Sequence, residues 1–443
     1  MKEKQKLSLF DFTMIVVGLV IGMGIFRTAA TSASFALTPT VYFSAWITGG
    51  IIALCGALTY AEIGSRYPVT GGYYRIFSYA YHPSIAFAIN CIILISNAAS
   101  LSAVALIGSG YISKVFFDQP ATDVVKALIA TAAIVLFYGV NLLGLKMSAK
   151  TQNVLMIIKI GMVLMLVSAL FFPHIHTTSA VAAPPESTSY FDWIKSFGAS
   201  LIAVSFTYGG YQQTINFGSE VHKPSKNIPR GIFMGIASII SLYLLVNMSY
   251  YSVIGFSRLQ NEKEIASIVV GKMFGDTGAN IFSALLFLSV LAYVNVLLLS
   301  NPRVMFAMSE DGVLPAVFKK KSEKKEVFTI SLTVFAAMCI VILYFANTFD
   351  KILNFTIFLD SFGMAASAAS IFWLRPKTKK LNNTGIYSMK LYPLLPIIFI
   401  CAYIFVAISI AIQTPDTALT GILVLAAFTI FYFIIHKKTK ANV

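Results

Sequence analysis

Twelve stretches of this chain are long and apolar enough to cross a bilayer, and that limits its fold more than any other feature. They span residues 9–34, 41–62, 84–111, 124–143, 153–172, 191–216, 231–254, 280–308, 328–346, 352–373, 392–413 and 419–435. Crossing ~30 Å of hydrocarbon takes about 17–25 helical residues. An open strand would leave backbone polar groups unpaired in lipid, so each stretch must be helical. Composition closes the soluble alternative: 57% of the 443 residues are hydrophobic and 12% charged, against about a quarter charged in soluble domains. No soluble domain fits between the spans, because the longest polar stretches are only 173–190, 319–326 and 375–391. The chain therefore reads as one all-α polytopic transmembrane domain. Repeat one covers about 8–172, repeat two about 190–374, and accessory helices about 391–436.

Net charge is +15, but the positive residues sit in short loops between apolar runs, so a lipid bilayer is the implied partner and nucleic acid is not. With the N-terminus inside, 24 of the 33 Lys and Arg fall on inner loops, tails and span ends, and seven on outer ones. Arg27 and Lys159 lie within spans. This bias predicts both termini on the cytoplasmic side of the cell membrane. The basic start and first apolar run resemble a secretory signal. Arg27 and the eleven spans that follow favour a first transmembrane helix instead.

Chemistry-bearing motifs are sparse. Cys55, Cys91, Cys339 and Cys401 lie in apolar runs without a C-x-x-C spacing, and the five histidines form no ligand pattern, so no metal and no cofactor is expected. Gly108-Ser109-Gly110 lacks the ending of a phosphate-binding loop. An enzyme would need one of these devices; a channel would fit the apolar spans but neither the paired breaks nor the buried lysine described next.

Two spans carry glycine clusters in mid-membrane, Gly22-Met23-Gly24 and Gly209-Gly210. Each opens a five-helix set, and five is odd, so the second set enters the membrane inverted. Paired glycine-interrupted spans in corresponding positions point to an inverted-repeat transporter with its site at the breaks. Close helix packing is the competing reading. Lys159, deep in the fifth span, is the other outlier, since a charge there costs a few kcal/mol unless it has a partner or a role. Snorkelling is its alternative.

The sequence resembles the amino acid–polyamine–organocation superfamily, near its L-type and cationic amino-acid transporter branches. The matching pieces, in order, are Val20-Ile21-Gly22-Met23-Gly24-Ile25-Phe26, Tyr60–Pro68 leading to Gly71-Gly72-Tyr73, and Phe206–Tyr211 followed by Glu220 and Asn227-Ile228-Pro229-Arg230. Asn301-Pro302-Arg303-Val304 and Glu310–Pro315 complete the set. The resemblance implies a LeuT-like 5+5 inverted repeat with twelve helices, helices 1 and 6 broken. It also implies a secondary transporter moving amino acids by alternating access, as exchanger or proton-coupled permease; a polyamine or other organocation carrier is the alternative. Where relatives often have serine, this chain has Met23. The outer loop 112–123 has no cysteine, so no disulfide-linked heavy chain is expected.

For an amino acid at such breaks, the freed N–H groups of Met23, Gly24 and Ile25 begin a half-helix whose dipole suits the carboxylate. The family match gives carbonyls at Val20, Phe206 and Gly209 for the ammonium. Side chains of Tyr208, Tyr211 and Asn295 could shape specificity, with packing as the alternative for Tyr211 and Asn295. No clear acidic residue marks the pocket, which disfavours cationic amino acids. The resemblance places Lys159 where sodium-coupled relatives hold sodium, near the carbonyls of Gly18 and Ile21, which implies sodium-independent transport with proton coupling open. It also implies an aromatic gate at Phe206 and an outer-gate ion pair between Arg27 and Asp360. The competing role for Arg27 is binding the substrate carboxylate.

Overall fold

A serine three residues ahead of an aspartate starts the first helix. Ser8 accepts from the amide of Asp11 at 3.1 Å and its own amide donates back to the Asp11 carboxylate at 3.1 Å, which satisfies two of the amides a helix start leaves orphaned. The same box opens the helix at Tyr190, where Ser189 caps and its amide reaches the Asp192 carboxylate at 3.0 Å. The two halves of the chain thus begin with related phrases, Ser8-Leu9-Phe10-Asp11 and Ser189-Tyr190-Phe191-Asp192.

The computed structural model describes residues 6–22, 24–116, 121–175, 177, 189–262, 264–322, 324–345, 349–381 and 385–441, with backbone alone at 174, 345, 349–357, 381 and 435–441. Its helices in chain order are α1 (Leu9–Val20), α2 (Gly24–Phe35), α3 (Pro39–Arg66), α4 (Gly72–Ala80), α5 (Pro83–Phe116), α6 (Asp123–Leu142), α7 (Leu145–Ser168) and α8 (Tyr190–Tyr208). They continue with α9 (Pro224–Ile254), α10 (Phe256–Leu259), α11 (Ile265–Glu310), α12 (Thr329–Phe345), α13 (Phe349–Ala369), α14 (Ile371–Lys377), α15 (Leu394–Gln413) and α16 (Pro415–Ala441). Six short 3-10 turns and isolated β-bridges accompany them among the described residues. Nine candidate spans there, the first running from Leu9 to Phe35, are long and apolar enough to cross a membrane, and α12 is a shorter apolar helix. The chain is a multi-pass membrane protein.

The core sits where the opening helices meet their neighbours. α1 packs on α7 and α9, α2 on α8, α3 on α8 and α9, and α11 on α5 and α7. Phe12, Ile15 and Val16 on α1 are fully buried, as are Val290 and Val294 on α11. The outer ring shows the reverse: Leu128, Leu136, Ile412 and Leu423 are more than half exposed. Large aliphatic side chains turned outward suit a lipid surround, which satisfies them as well as a protein core does. α15 and α16 pack at the edge, against α13, α3 and α5.

Candidate functional site

α1 stops in mid-span. Its last amide bonds run from Ile21 to the Val17 carbonyl and from Gly22 to the Val20 carbonyl, each 2.8 Å, before α2 starts at Gly24. Met23 lies outside the described residues. Ending a helix this way frees carbonyls that need new partners, and one comes from α7. Lys159, fully buried, donates from Nζ to the Ile21 carbonyl at 2.5 Å. Gly18 allows α7 this close, since a Cβ there would stand 2.1 Å from Nε2 of Gln152.

α8 also ends in mid-span, at Tyr208, and the chain resumes as a 3-10 turn over Tyr211–Asn216. Between them Gly210 has φ +106°, a conformation L side chains rarely adopt. A Cβ at Gly210 would meet the Leu19 carbonyl oxygen at 2.1 Å, so the second break rests its backbone directly on the end of α1. Higher up, a Cβ on Gly24 would come within 2.8 Å of the Thr207 methyl, and the hydroxyls of Thr28 and Thr207 are bonded to each other. The Tyr243 hydroxyl bridges the two segments, 3.3 Å from the Val20 carbonyl and 3.4 Å from that of Thr207.

A cavity with about 700 Å³ of empty space, part of it open to solvent, lies against both breaks. Val20, Gly24, Phe206 and Gly209 line it, as the sequence leads one to expect, and so does Asp360. Its polar wall comes from residues that sequence reasoning passed over: Asn97, Ser100, Tyr293, Gln212, Gln213 and Tyr403. Ser100 and Tyr293 share a hydrogen bond of 2.9 Å across α5 and α11.

Several expected pocket residues face elsewhere. Tyr208 turns into an aromatic cluster, 5.8 Å from the Trp46 ring and 5.2 Å from that of Tyr243, with Gly50 leaving room for its hydroxyl. Tyr211 is fully buried against Tyr60 at 5.9 Å and over Gly56. Ile25 is fully buried in the core. Asn295 belongs to an amide network: it accepts from Asn141 at 3.0 Å and donates to Gln152 Oε1 at 2.9 Å and the Ser148 carbonyl at 3.2 Å. None of these four lines the cavity. Their hydrogen-bond and packing partners lie between helices, which holds them away from it.

The expected outer pair is not made either. No ion pair joins Arg27 to Asp360 among the described residues; the Asp360 carboxylate accepts from Ser96 at 3.2 Å. At the face that carries Leu7, charges are paired densely. Arg303 holds Glu220 at 2.7 Å beneath the protein surface and stacks 4.5 Å over Phe217. Glu62 takes both Arg66 at 2.7 Å and Arg375 at 3.3 Å. Arg75 reaches Glu310 at 2.8 Å and also pairs with Asp311. Glu62 and Glu220 are thus committed to closing that face and lie outside the cavity lining.

A family model described as amino acid permease matches residues 7–435. The serine/threonine exchanger SteT of Bacillus subtilis is 28% identical, the match covering 99% of this chain and 98% of the relative. The branched-chain amino acid permease BcaP of the same organism is 28% identical over 76% of this chain and 73% of its own. The human cystine/glutamate transporter is 24% identical over 98% of this chain and 86% of its own.

Proposed function

The chain belongs to the amino acid permease family, and from that membership we propose that this amino acid transporter carries its substrate through the cavity between the two helix breaks. It works as a sodium-independent exchanger or proton-coupled permease, with twelve spans in a 5+5 inverted repeat and both termini cytoplasmic. The observation that carries this reading is the Lys159 ammonium on the Ile21 carbonyl, 2.5 Å apart at the break itself. The Lys159 amino group on α7 satisfies a carbonyl that the broken helix leaves without a helical donor, so no metal ion is needed to hold α1 and α7 together. Glycine backbone at Gly24 and Gly209 lets an amino acid reach main-chain groups that a side chain would cover. The start of α2 offers amides and the positive end of its dipole to a carboxylate, while carbonyls around Val20, Phe206 and Gly209 take the ammonium. Phe206, on the cavity wall, is placed to fold over a bound amino acid, because one aromatic ring excludes water with few rotors to order. No disulfide-linked heavy chain is needed in this reading; residues 117–120 of the outer loop lie outside the described part.

Reconstitution tests it. Purified protein in liposomes should take up labelled amino acids saturably, and unlabelled amino acid on the far side should accelerate that uptake. Uptake that never saturates and ignores the far-side substrate would mark a channel instead.

A further inference from the structure

The cavity lining also offers acceptors. Asn301 on α11 donates from Nδ2 to the Leu297 backbone carbonyl at 2.9 Å. A backbone carbonyl can only accept, so this bond fixes which end of the Asn301 amide is which. Its Oδ1 must then accept, and it does so from Asn97 Nδ2 at 2.7 Å. Asn97 Oδ1 in turn accepts from Gln213 Nε2 at 3.0 Å. The relay ends with Gln213 Oε1, buried and without a hydrogen-bond partner among the described residues. Asn97 and Gln213 both line the cavity. The polarity of three amides is thus set by one carbonyl on α11, and what it delivers to the cavity end is a bare acceptor.

The second acceptor is a carboxyl group. Asp360 on α13 lines the same cavity and receives one hydrogen bond, from Ser96, on Oδ1. Tyr293 and Tyr403 line the same cavity. No Lys, Arg or His pairs with it among the described residues, whereas Glu62, Glu220 and Glu310 at the Leu7 face are each paired. A half-buried carboxyl group and an unpartnered amide oxygen among the residues of one cavity lining leave an excess of acceptors. Such groups are costly until a donor reaches them. The matching donor is a second cationic group on the ligand, which brings several N–H bonds and the opposite charge together.

We propose that Asp360, with Gln213 in the same cavity lining, forms a cation subsite that selects amino acids bearing a positively charged side chain, such as lysine, ornithine and arginine. The inference rests on reading this cavity as the amino-acid site, with the α-carboxylate and α-ammonium held at the breaks. It reverses the sequence-based expectation of a pocket without an acid, because Asp360 lines the cavity.

Norleucine has the lysine side chain without its ammonium, so the pair isolates the charge. In proteoliposomes, labelled leucine uptake should be inhibited by lysine and arginine more strongly than by norleucine, by about tenfold or more in half-inhibiting concentration. Asp360→Asn keeps the shape and removes the charge, and should cancel that preference while leucine and norleucine still compete. Gln213→Leu should weaken lysine competition less than Asp360→Asn does. The proposal is overturned if norleucine competes as well as lysine in the parental protein, or if Asp360→Asn leaves the ratio unchanged. The parental ratio needs no variant to fold. If leucine, serine, lysine and arginine all fail to enter, the cavity reading itself fails and takes this subsite with it; neutral uptake without cation preference sinks the subsite alone.

Discussion

The two breaks are held open by different means. At the first, a side chain from a third helix supplies the donor, with Lys159 Nζ on the Ile21 carbonyl. At the second no charged side chain bonds the break among the described residues, and the chain is held by fit, with Gly210 at φ +106° resting against the Leu19 carbonyl. One break therefore depends on a polar side chain from a neighbouring helix, whereas the other depends on the absence of a side chain. The two also lean on each other, through Gly24 against Thr207 and through Tyr243, which reaches both segments. A rearrangement at one break is thereby felt at the other, as a carrier that alternates its access requires.

That difference can be broken at either end. The largest effect is expected from Gly210→Ala. Its left-handed backbone costs about 1–2 kcal/mol for an L residue, and the clash with Leu19 adds about 1–3 kcal/mol of overpacking. Transport should vanish and the thermal unfolding transition should fall, as read by fluorescence in detergent. Next comes Lys159→Met, which keeps length and apolar volume but removes the ammonium. The protein should reach the membrane and stay folded, while transport drops by about tenfold or more, equivalent to at least ~1.4 kcal/mol. If Lys159→Met transported like the parent, the first break would be a matter of fit like the second.

Coupling between the breaks gives a subtler test. Gly24→Ala pushes a methyl at Thr207 and should slow uptake, and Thr207→Ala in the same chain should restore part of it. Additive losses in the double-mutant cycle would mean the two segments do not sense each other there. Smallest is the gate. Phe206→Ala should lower turnover about three- to tenfold, or about 0.7–1.4 kcal/mol, and Phe206→Tyr or Phe206→Trp should be better tolerated. Parental turnover and apparent affinity in Phe206→Ala would reduce Phe206 to ordinary wall packing.

Residues that break a rule could be read from sequence, and residues that obey one could not. Gly22, Gly209 and Gly210 stood out because glycine interrupts an apolar helix, and Lys159 because a charge does not belong at that depth. Asn295 was assigned to the pocket, yet the cavity meets Tyr293, two residues earlier. At about 100° per residue, two positions turn a side chain to nearly the opposite face. In soluble helices polarity reveals which face is buried. Here lipid and core are both apolar, so α11 carries no such stripe and its facing was invisible. Tyr208 and Tyr211 failed for a related reason, since aromatic rings beside a break suit packing as well as ligand contact. The paired capping boxes at Ser8 and Ser189 were a legible repeat signal that the apolar runs overshadowed. The amide relay behind Gln213 needed coordinates, because it joins three elements distant in sequence.

The most direct test of the central claim, that a resident ammonium at the first break does the work of a bound cation, is amino-acid exchange in proteoliposomes with sodium present and then replaced by choline on both sides, for the parent and for Lys159→Ala. The account predicts equal parental rates in the two media and a collapse of both rates in Lys159→Ala. A parental rate that depends on sodium, or a Lys159→Ala protein that exchanges as fast as the parent without it, would contradict it.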